Sequence, residues 1–168
     1  MLKVVVVSDT HMPRMAKKLP GPLIEALKTA DVILHAGDWT DGSVVTMLRK
    51  YAPVHGICGN NDGPELVRML GLRRIVTLEG VRIGIVHGHG QGKREDTETR
   101  AFRAFEPGEV DVIVFGHSHI PLHKQRDGIL LFNPGSPTDR RRSSHYAFGI
   151  FRIQDGSLTA EHVKYLNK

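Results

Sequence analysis

Three short apolar runs, Lys3 to Val7, Asp31 to His35 and Val54 to Cys58, open the chain, with helical periodicity between them. This alternation constrains the fold more than any other feature. The run Val4-Val5-Val6-Val7 is β-branched with no polar alternation, so it reads as a strand covered on both faces. Leu23, Leu27 and Ala30 recur at helical spacing, with Pro22 near the first turn of a helix over Pro22 to Ala30. Val44, Met47, Leu48 and Tyr51 mark a second helix over Ser43 to Tyr51. A βαβαβ rhythm predicts a parallel sheet with covering helices.

The second half changes character. Arg73 to Leu78 and Val81 to Val86 read as two strands of a hairpin turning at Glu79-Gly80. Thr97 to Phe105 reads as a helix and Val112 to Phe115 as a buried strand. Strand-like runs follow at Leu122 to Arg126, Ile129 to Asn133, Tyr146 to Ile153 and Leu158 to Tyr165, separated by Asp127-Gly128, Pro134-Gly135 and Asp155-Gly156. The expected fold is α/β, a two-sheet sandwich of mixed sheets flanked by helices. With no internal repeat or linker, residues 1–168 are expected to form a single domain. A lone cysteine, Cys58, excludes an intrachain disulfide framework and reads as an inert core residue. No apolar run approaches the ~20 residues of a membrane helix, and Met1 to Val7 is too short for a signal peptide, so a cytoplasmic protein without membrane contact is expected. A net charge of +5 suits an anionic partner. Without an aromatic-interleaved basic stripe, nucleic acid is not the expected partner. Exposed edge strands or apolar helix faces leave a homodimer or higher homo-oligomer open.

Five segments share a placement. Ser8-Asp9-Thr10-His11, Ala36-Gly37-Asp38, Gly59-Asn60-Asn61-Asp62, Val86-His87-Gly88-His89 and Gly116-His117-Ser118-His119 each follow a predicted strand. Carboxyl ends of strands are where α/β sheets bind ligands, so segments distant in sequence can meet at one edge. Asp9 and His11 are two apart, as are His117 and His119, and on extended backbone such pairs point to one side. The donors are carboxylate, imidazole and amide without thiolate. That set suits Mn, Fe, Zn or Co better than a calcium cage or an iron–sulfur cluster.

In this order the segments, D-x-H, G-D, G-N-x-D, a histidine and G-H-x-H, resemble the calcineurin-like metallophosphoesterases, in particular the small bacterial and archaeal phosphodiesterases. The resemblance implies a calcineurin-like fold and two divalent transition metal ions, Mn first, with Fe, Zn, Co or Ni as alternatives. Asp9, His11, Asp38 and His119 would hold one ion. Asp38, Asn60, His87 and His117 would hold the other, with Asp38 bridging. It implies a hydrolase for a small phosphodiester or nucleotide-like substrate, with Asp38, Asn60 and His89 as candidate catalytic residues. The choice of His87 over His89 as ligand rests on the family position alone.

Asn61 departs from the pattern, because many members carry there a histidine proposed to protonate the leaving group. A scaffold like a retromer subunit, with impaired metal chemistry, and a nuclease or nucleotide hydrolase on the same site stay open as alternatives. Asp62 is expected to orient loops or histidines, and His35 to pack or support. Trp39 reads equally as pocket wall or core. His55, His123, His145 and His162 read as surface or strand residues. Asn133-Pro134-Gly135-Ser136 ends a strand and resembles a family loop near the metals, where Asn133 would partner a ligand histidine; an ordinary turn is the alternative. The run Arg140-Arg141-Arg142 reads as a solvated loop or as a holder of a second phosphate.

Overall fold

The computed structural model describes residues 1–90 and 96–168. In chain order the elements are β1 (Leu2–Val7), α1 (Gly21–Leu27), β2 (Val32–His35), α2 (Ser43–Arg49), β3 (Val54–Gly56), α3 (Pro64–Leu70), β4 (Arg73–Leu78), β5 (Val81–Val86), α4 (Thr97–Arg103), β6 (Val112–Val114), β7 (Leu122–Arg126), β8 (Ile129–Asn133), β9 (Tyr146–Gln154) and β10 (Ser157–Tyr165). They form two five-stranded sheets, ordered β10-β9-β1-β2-β3 and β4-β5-β6-β8-β7. In the first, β1, β2 and β3 run parallel and β9 joins β1 antiparallel, pairing Val4 with Phe151. In the second, β5, β6 and β8 run parallel, while β4 and β7 are antiparallel edges. The expected two-sheet α/β sandwich is therefore the one observed.

The β-branched run explains the layering. Val4 and Val6 pack between the sheets with Leu34, Ile83, Val114, Phe132 and Phe151. Val5 and Val7 face the other way, onto Leu23, Leu27, Val44 and Leu48 of α1 and α2. Ala101 of α4 and Phe105, just beyond it, cover the outer face of the second sheet over Ile113 and Leu131. Each fully buried aliphatic side chain of this kind contributes roughly 1.5–3 kcal/mol, so the four valines weigh heavily in the core.

The sequence reading has no element at α3, between β3 and the β4–β5 hairpin. Its signals are short: Pro64 in the first turn, Leu66 and Leu70 buried, and Gly71 at φ 76° ending it. Two buried positions in seven residues are too few to establish a period. No helix among the described residues is long and apolar enough to cross a membrane.

One glycine sets the sheet-to-sheet contact. Gly149 on β9 lies against the Phe132 ring of β8, and a Cβ there would overlap it. Phe132 meets Phe151 edge-on at 4.9 Å and stacks on His162 at 4.3 Å, so it has little room to move. Gly149→Ala is expected to cost about 1–3 kcal/mol, seen as a lower urea midpoint at unchanged slope. Gly21→Ala, where the added carbon meets open space, should stay within about 0.5 kcal/mol of the parent.

Candidate metal centre

The strands β1, β2, β3, β5 and β6 all point their carboxyl ends at one edge of the sandwich. The chain does not continue extended there, as the i, i+2 reading of the sequence expects. Asp9, His11, Asp38, His117 and His119 lie at φ 56°, 42°, 61°, 72° and 64°, in the left-handed region. Non-glycine residues adopt it at a cost and keep it only when their surroundings impose it. Here the turns are locked by close approach. A Cβ at Gly116 would run into the Ser8 hydroxyl and the Asp9 carboxylate, and one at Gly59 into the Asp38 carboxylate.

Asp9 is fully buried. Its Oδ2 accepts from the Ser8 hydroxyl at 2.8 Å and from the His117 backbone N–H at 3.0 Å. Its Oδ1 has no hydrogen-bond partner and faces three imidazole Nε2 atoms, those of His119 at 3.5 Å, His87 at 3.6 Å and His11 at 3.9 Å. Asp38 Oδ2 lies 3.2 Å from His87 Nε2 and 3.6 Å from His11 Nε2. Two groups of three donors result, Asp9 with His11 and His119, and Asp9 with Asp38 and His87. Asp9 is the residue they share.

The imidazoles are oriented from behind. His87 Nδ1 meets the Ala36 carbonyl at 2.7 Å, and His119 Nδ1 meets the Asp139 carbonyl. A carbonyl can only accept, so each Nδ1 carries the hydrogen and Nε2 is turned to the cluster. Burial pushes the Asp9 carboxyl up to about 7. Burial would also raise Asp38, but His87 beside it and the two N–H groups of Asn61 hold it well below the usual carboxylate range. Burial would lower His87, but the Asp38 and Asp9 carboxylates beside it carry it to about 9. Burial lowers His11, His89 and His117, and takes His119 to about 4, so these imidazoles are neutral near pH 7.

Asn60 is exposed in the turn after β3. The neighbouring Asn61 is the one that reaches in, its backbone N–H donating to Asp38 Oδ1 at 2.9 Å and its amide to Oδ2 at 3.0 Å. His117 is half-buried, with its ring edge-on to His87 at 5.2 Å. His89 is half-buried, 5.5 Å from His87, with an unpartnered Nδ1. A cavity of about 240 Å³ adjoins His87 and His89, walled by Leu72, Val86, Arg100 and Ala104. A second cavity of about 550 Å³, lined by Phe102, Phe105 and Val110, touches none of the clustered side chains.

The supports come from several loops. The Asp62 carboxylate accepts from the backbone N–H groups of Asp38 at 2.8 Å, Gly59 at 2.8 Å and Thr40 at 2.9 Å, tying the loops after β2 and β3 together. Ser136 donates to the Asp9 carbonyl at 2.7 Å and Thr138 to the Thr10 carbonyl at 2.5 Å. Asn133 donates to the Gly116 carbonyl and the Ser118 hydroxyl, both at 3.1 Å, rather than to a histidine ring. His35 stacks on Trp39 at 3.6 Å. Its Nδ1 accepts from the Gly37 N–H, and its Nε2 faces the Thr10 hydroxyl. Trp39 is core, with its indole N–H on the Ile57 carbonyl. Cys58 is buried, and burial raises its thiol to about 12, an inert group. Ser8 and Ser136 stand in the sequence only as members of site segments, without roles of their own, and nothing there marks Thr138 or Asp139.

Residues 2–156 match the calcineurin-like phosphoesterase superfamily domain. A probable metallophosphoesterase of Methanothermobacter thermautotrophicus is 35% identical over 162 residues, covering 95% of this chain and 90% of that protein. A phosphodiesterase of Methanocaldococcus jannaschii is 26% identical over 148 residues, covering 80% and 83%. Among solved structures, wild-type Vps29 of Entamoeba histolytica, complexed with zinc, superposes with a TM-score of 0.76 at 24% identity, covering 97% and 99%.

Two predictions follow from the cluster's supports and charges. Asp62→Ala frees three amides that fix both loops, and should weaken metal binding about 10–100-fold in a Mn titration. Metal must displace the proton from His87, which is raised to about 9 and therefore protonated below that pH. Apparent Mn affinity should thus fall about tenfold per unit as pH drops from 8.5 to 7, and more steeply below about 7 where Asp9 also protonates. Calorimetry in buffers of different ionisation enthalpy reads the released protons directly.

Proposed function

The chain belongs to the calcineurin-like phosphoesterase superfamily, and from that premise we propose that it is a metal-dependent phosphodiesterase with a dinuclear centre. One observation carries the reading. The buried atoms Asp9 Oδ1, His11 Nε2, His87 Nε2 and His119 Nε2 all lack hydrogen-bond partners, and the three nitrogens lie within 3.9 Å of that oxygen. Each buried unsatisfied polar atom costs about 1–3 kcal/mol, so four converging ones fit a site built for cations.

Asp9, His11, Asp38 and His119 would hold one ion, and Asp38, Asn60, His87 and His117 the other. Divalent ions supply a lower pKa for water and positive charge opposite the oxygens of the transferring phosphoryl group. Mn is the first candidate, with Fe, Zn, Co and Ni as alternatives. The chain does the rest. The Ala36 and Asp139 carbonyls orient His87 and His119, and Ser8 and the His117 N–H fix Asp9. The Asn61 amide holds Asp38 ionised and in place, and it has no proton to give to a leaving group. His89, neutral through burial and facing the cavity beside His87, is suited to contact a phosphoryl oxygen. The substrate class that suits such a site is a phosphodiester with an acidic leaving group. Cytoplasmic residence agrees with a lone, buried thiol.

The Vps29-like fold keeps a scaffold reading as the competitor, and turnover separates the two. With Mn, the protein should hydrolyse bis-p-nitrophenyl phosphate, and chelation or Asp38→Asn should lower kcat by at least about 100-fold. No turnover with any of the five metals would favour the scaffold. Across a series of aryl esters the wild-type rate should fall steeply as leaving-group pKa rises, and Asn61→His should flatten that slope. A flat wild-type series would remove Asn61 from the account.

A further inference from the structure

The three consecutive arginines after the cluster part company. Arg141 is paired, its Nε 3.4 Å from Asp139 Oδ2, and Asp139 in turn supports His119. Arg140 donates to the Ser143 carbonyl at 3.4 Å and lies over the Tyr146 ring at 5.8 Å. Arg142 has neither kind of contact. It lines a cavity of about 400 Å³ with Ile120, Pro121, Ser144, His145 and Lys164. No carboxylate lines that cavity, and among the described residues none pairs with Arg142 or Lys164. Among the described residues, two cationic side chains therefore line this cavity with no carboxylate beside them, next to Ser144 and His145, which hydrogen-bond each other at 2.8 Å.

The cavity also has a fixed relation to the cluster. Its wall begins at Ile120, the residue directly after His119, and consecutive Cα atoms lie only about 3.8 Å apart. Ile120 is 49% exposed, leaving an apolar step between the buried imidazole and the basic pocket.

We propose that this cavity is a second-phosphate subsite, and that the substrate is a phosphodiester carrying an additional phosphate group on the same molecule. This rests on the phosphodiesterase reading and narrows its substrate class. Arg142 supplies a planar fork of N–H donors matched to phosphate oxygens, and Lys164 a mobile point charge. These groups touch the distal phosphate and not the reacting one, so they should govern binding and leave the chemical step alone.

The test compares ligands that differ by one phosphate. Thymidine 3′,5′-bisphosphate should bind the Mn-loaded protein about tenfold more tightly than thymidine 5′-monophosphate in calorimetry at low salt, and the gap should narrow as salt screens the charges. In the Arg142→Ala/Lys164→Ala double variant the gap should vanish. Both side chains are exposed, so the fold should survive, and kcat and KM for bis-p-nitrophenyl phosphate, which has no second phosphate, should stay at wild-type values. Equal binding of the two nucleotides by wild type, or an undiminished gap in the double variant, would overturn the proposal. Inorganic phosphate alone seated at Arg142, with no gain for the bisphosphate, would overturn it too, marking a free-anion site. Failure of bis-p-nitrophenyl phosphate turnover, with the binding gap intact, would sink the hydrolase reading and leave the pocket standing.

Discussion

A carboxylate buried at the seam of two sheets is the constraint on which this edge of the molecule depends. Burying Asp9 would be prohibitive in an apolar setting, and the fold answers from both halves. The first sheet contributes the aspartate itself and the Ser8 hydroxyl. The second contributes the His117 N–H and the imidazoles of His87 and His119. The Ser136 loop, following β8, then secures the Asp9 backbone. Neither sheet alone carries a complete donor set, so the packing of Val4, Val6, Phe132 and Phe151 between them is a condition for chemistry as well as for stability.

The two ends of the sandwich differ in how their polar groups are treated. At the amino ends of β5 and β6, the Arg82 guanidinium meets the Asp111 carboxylate through two contacts, at 2.9 and 3.2 Å, and donates to the Gly108 carbonyl at 2.6 Å. Those partners are exposed and mutually satisfied, and such surface pairs contribute little net stability. At the carboxyl ends the backbone is strained at five functional residues and four polar atoms converge unpaired. Left-handed backbone is not confined to that edge, since Glu79, Asp127 and Asp155 adopt it in hairpin turns at the other; what sets the carboxyl edge apart, among the described residues, is buried polarity left unpaired.

The strands and their order of use were legible because Val4 to Val7, Ile83 to Val86 and Val112 to Val114 are apolar runs with few alternatives. Helix α3 was not, since two buried leucines give no period. The five site segments were legible as strand-ending turns. Their backbone was misread, because an i, i+2 pair looks extended until the close approach of Gly116 to Ser8 forces a turn. Asn61 was visible only as a missing acid. Its grip on Asp38 joins loops 23 residues apart, and no local pattern reports such a contact. The same holds for Ser136 and Thr138, which reach Asp9 and Thr10 across more than 120 residues.

The pairing of β1 with β9 has a consequence for how the molecule is born. The amino-terminal strand sits in the middle of its sheet, and one flank stays bare until residues 146–154 have left the ribosome. Through most of synthesis the nascent chain therefore exposes a β-branched ribbon with an open hydrogen-bonding edge, the kind of surface that invites chaperones or aggregation. The donor cluster is completed late in that order, because the imidazole of His119 and the hydroxyl of Ser136 arrive only shortly before the ribbon is sealed.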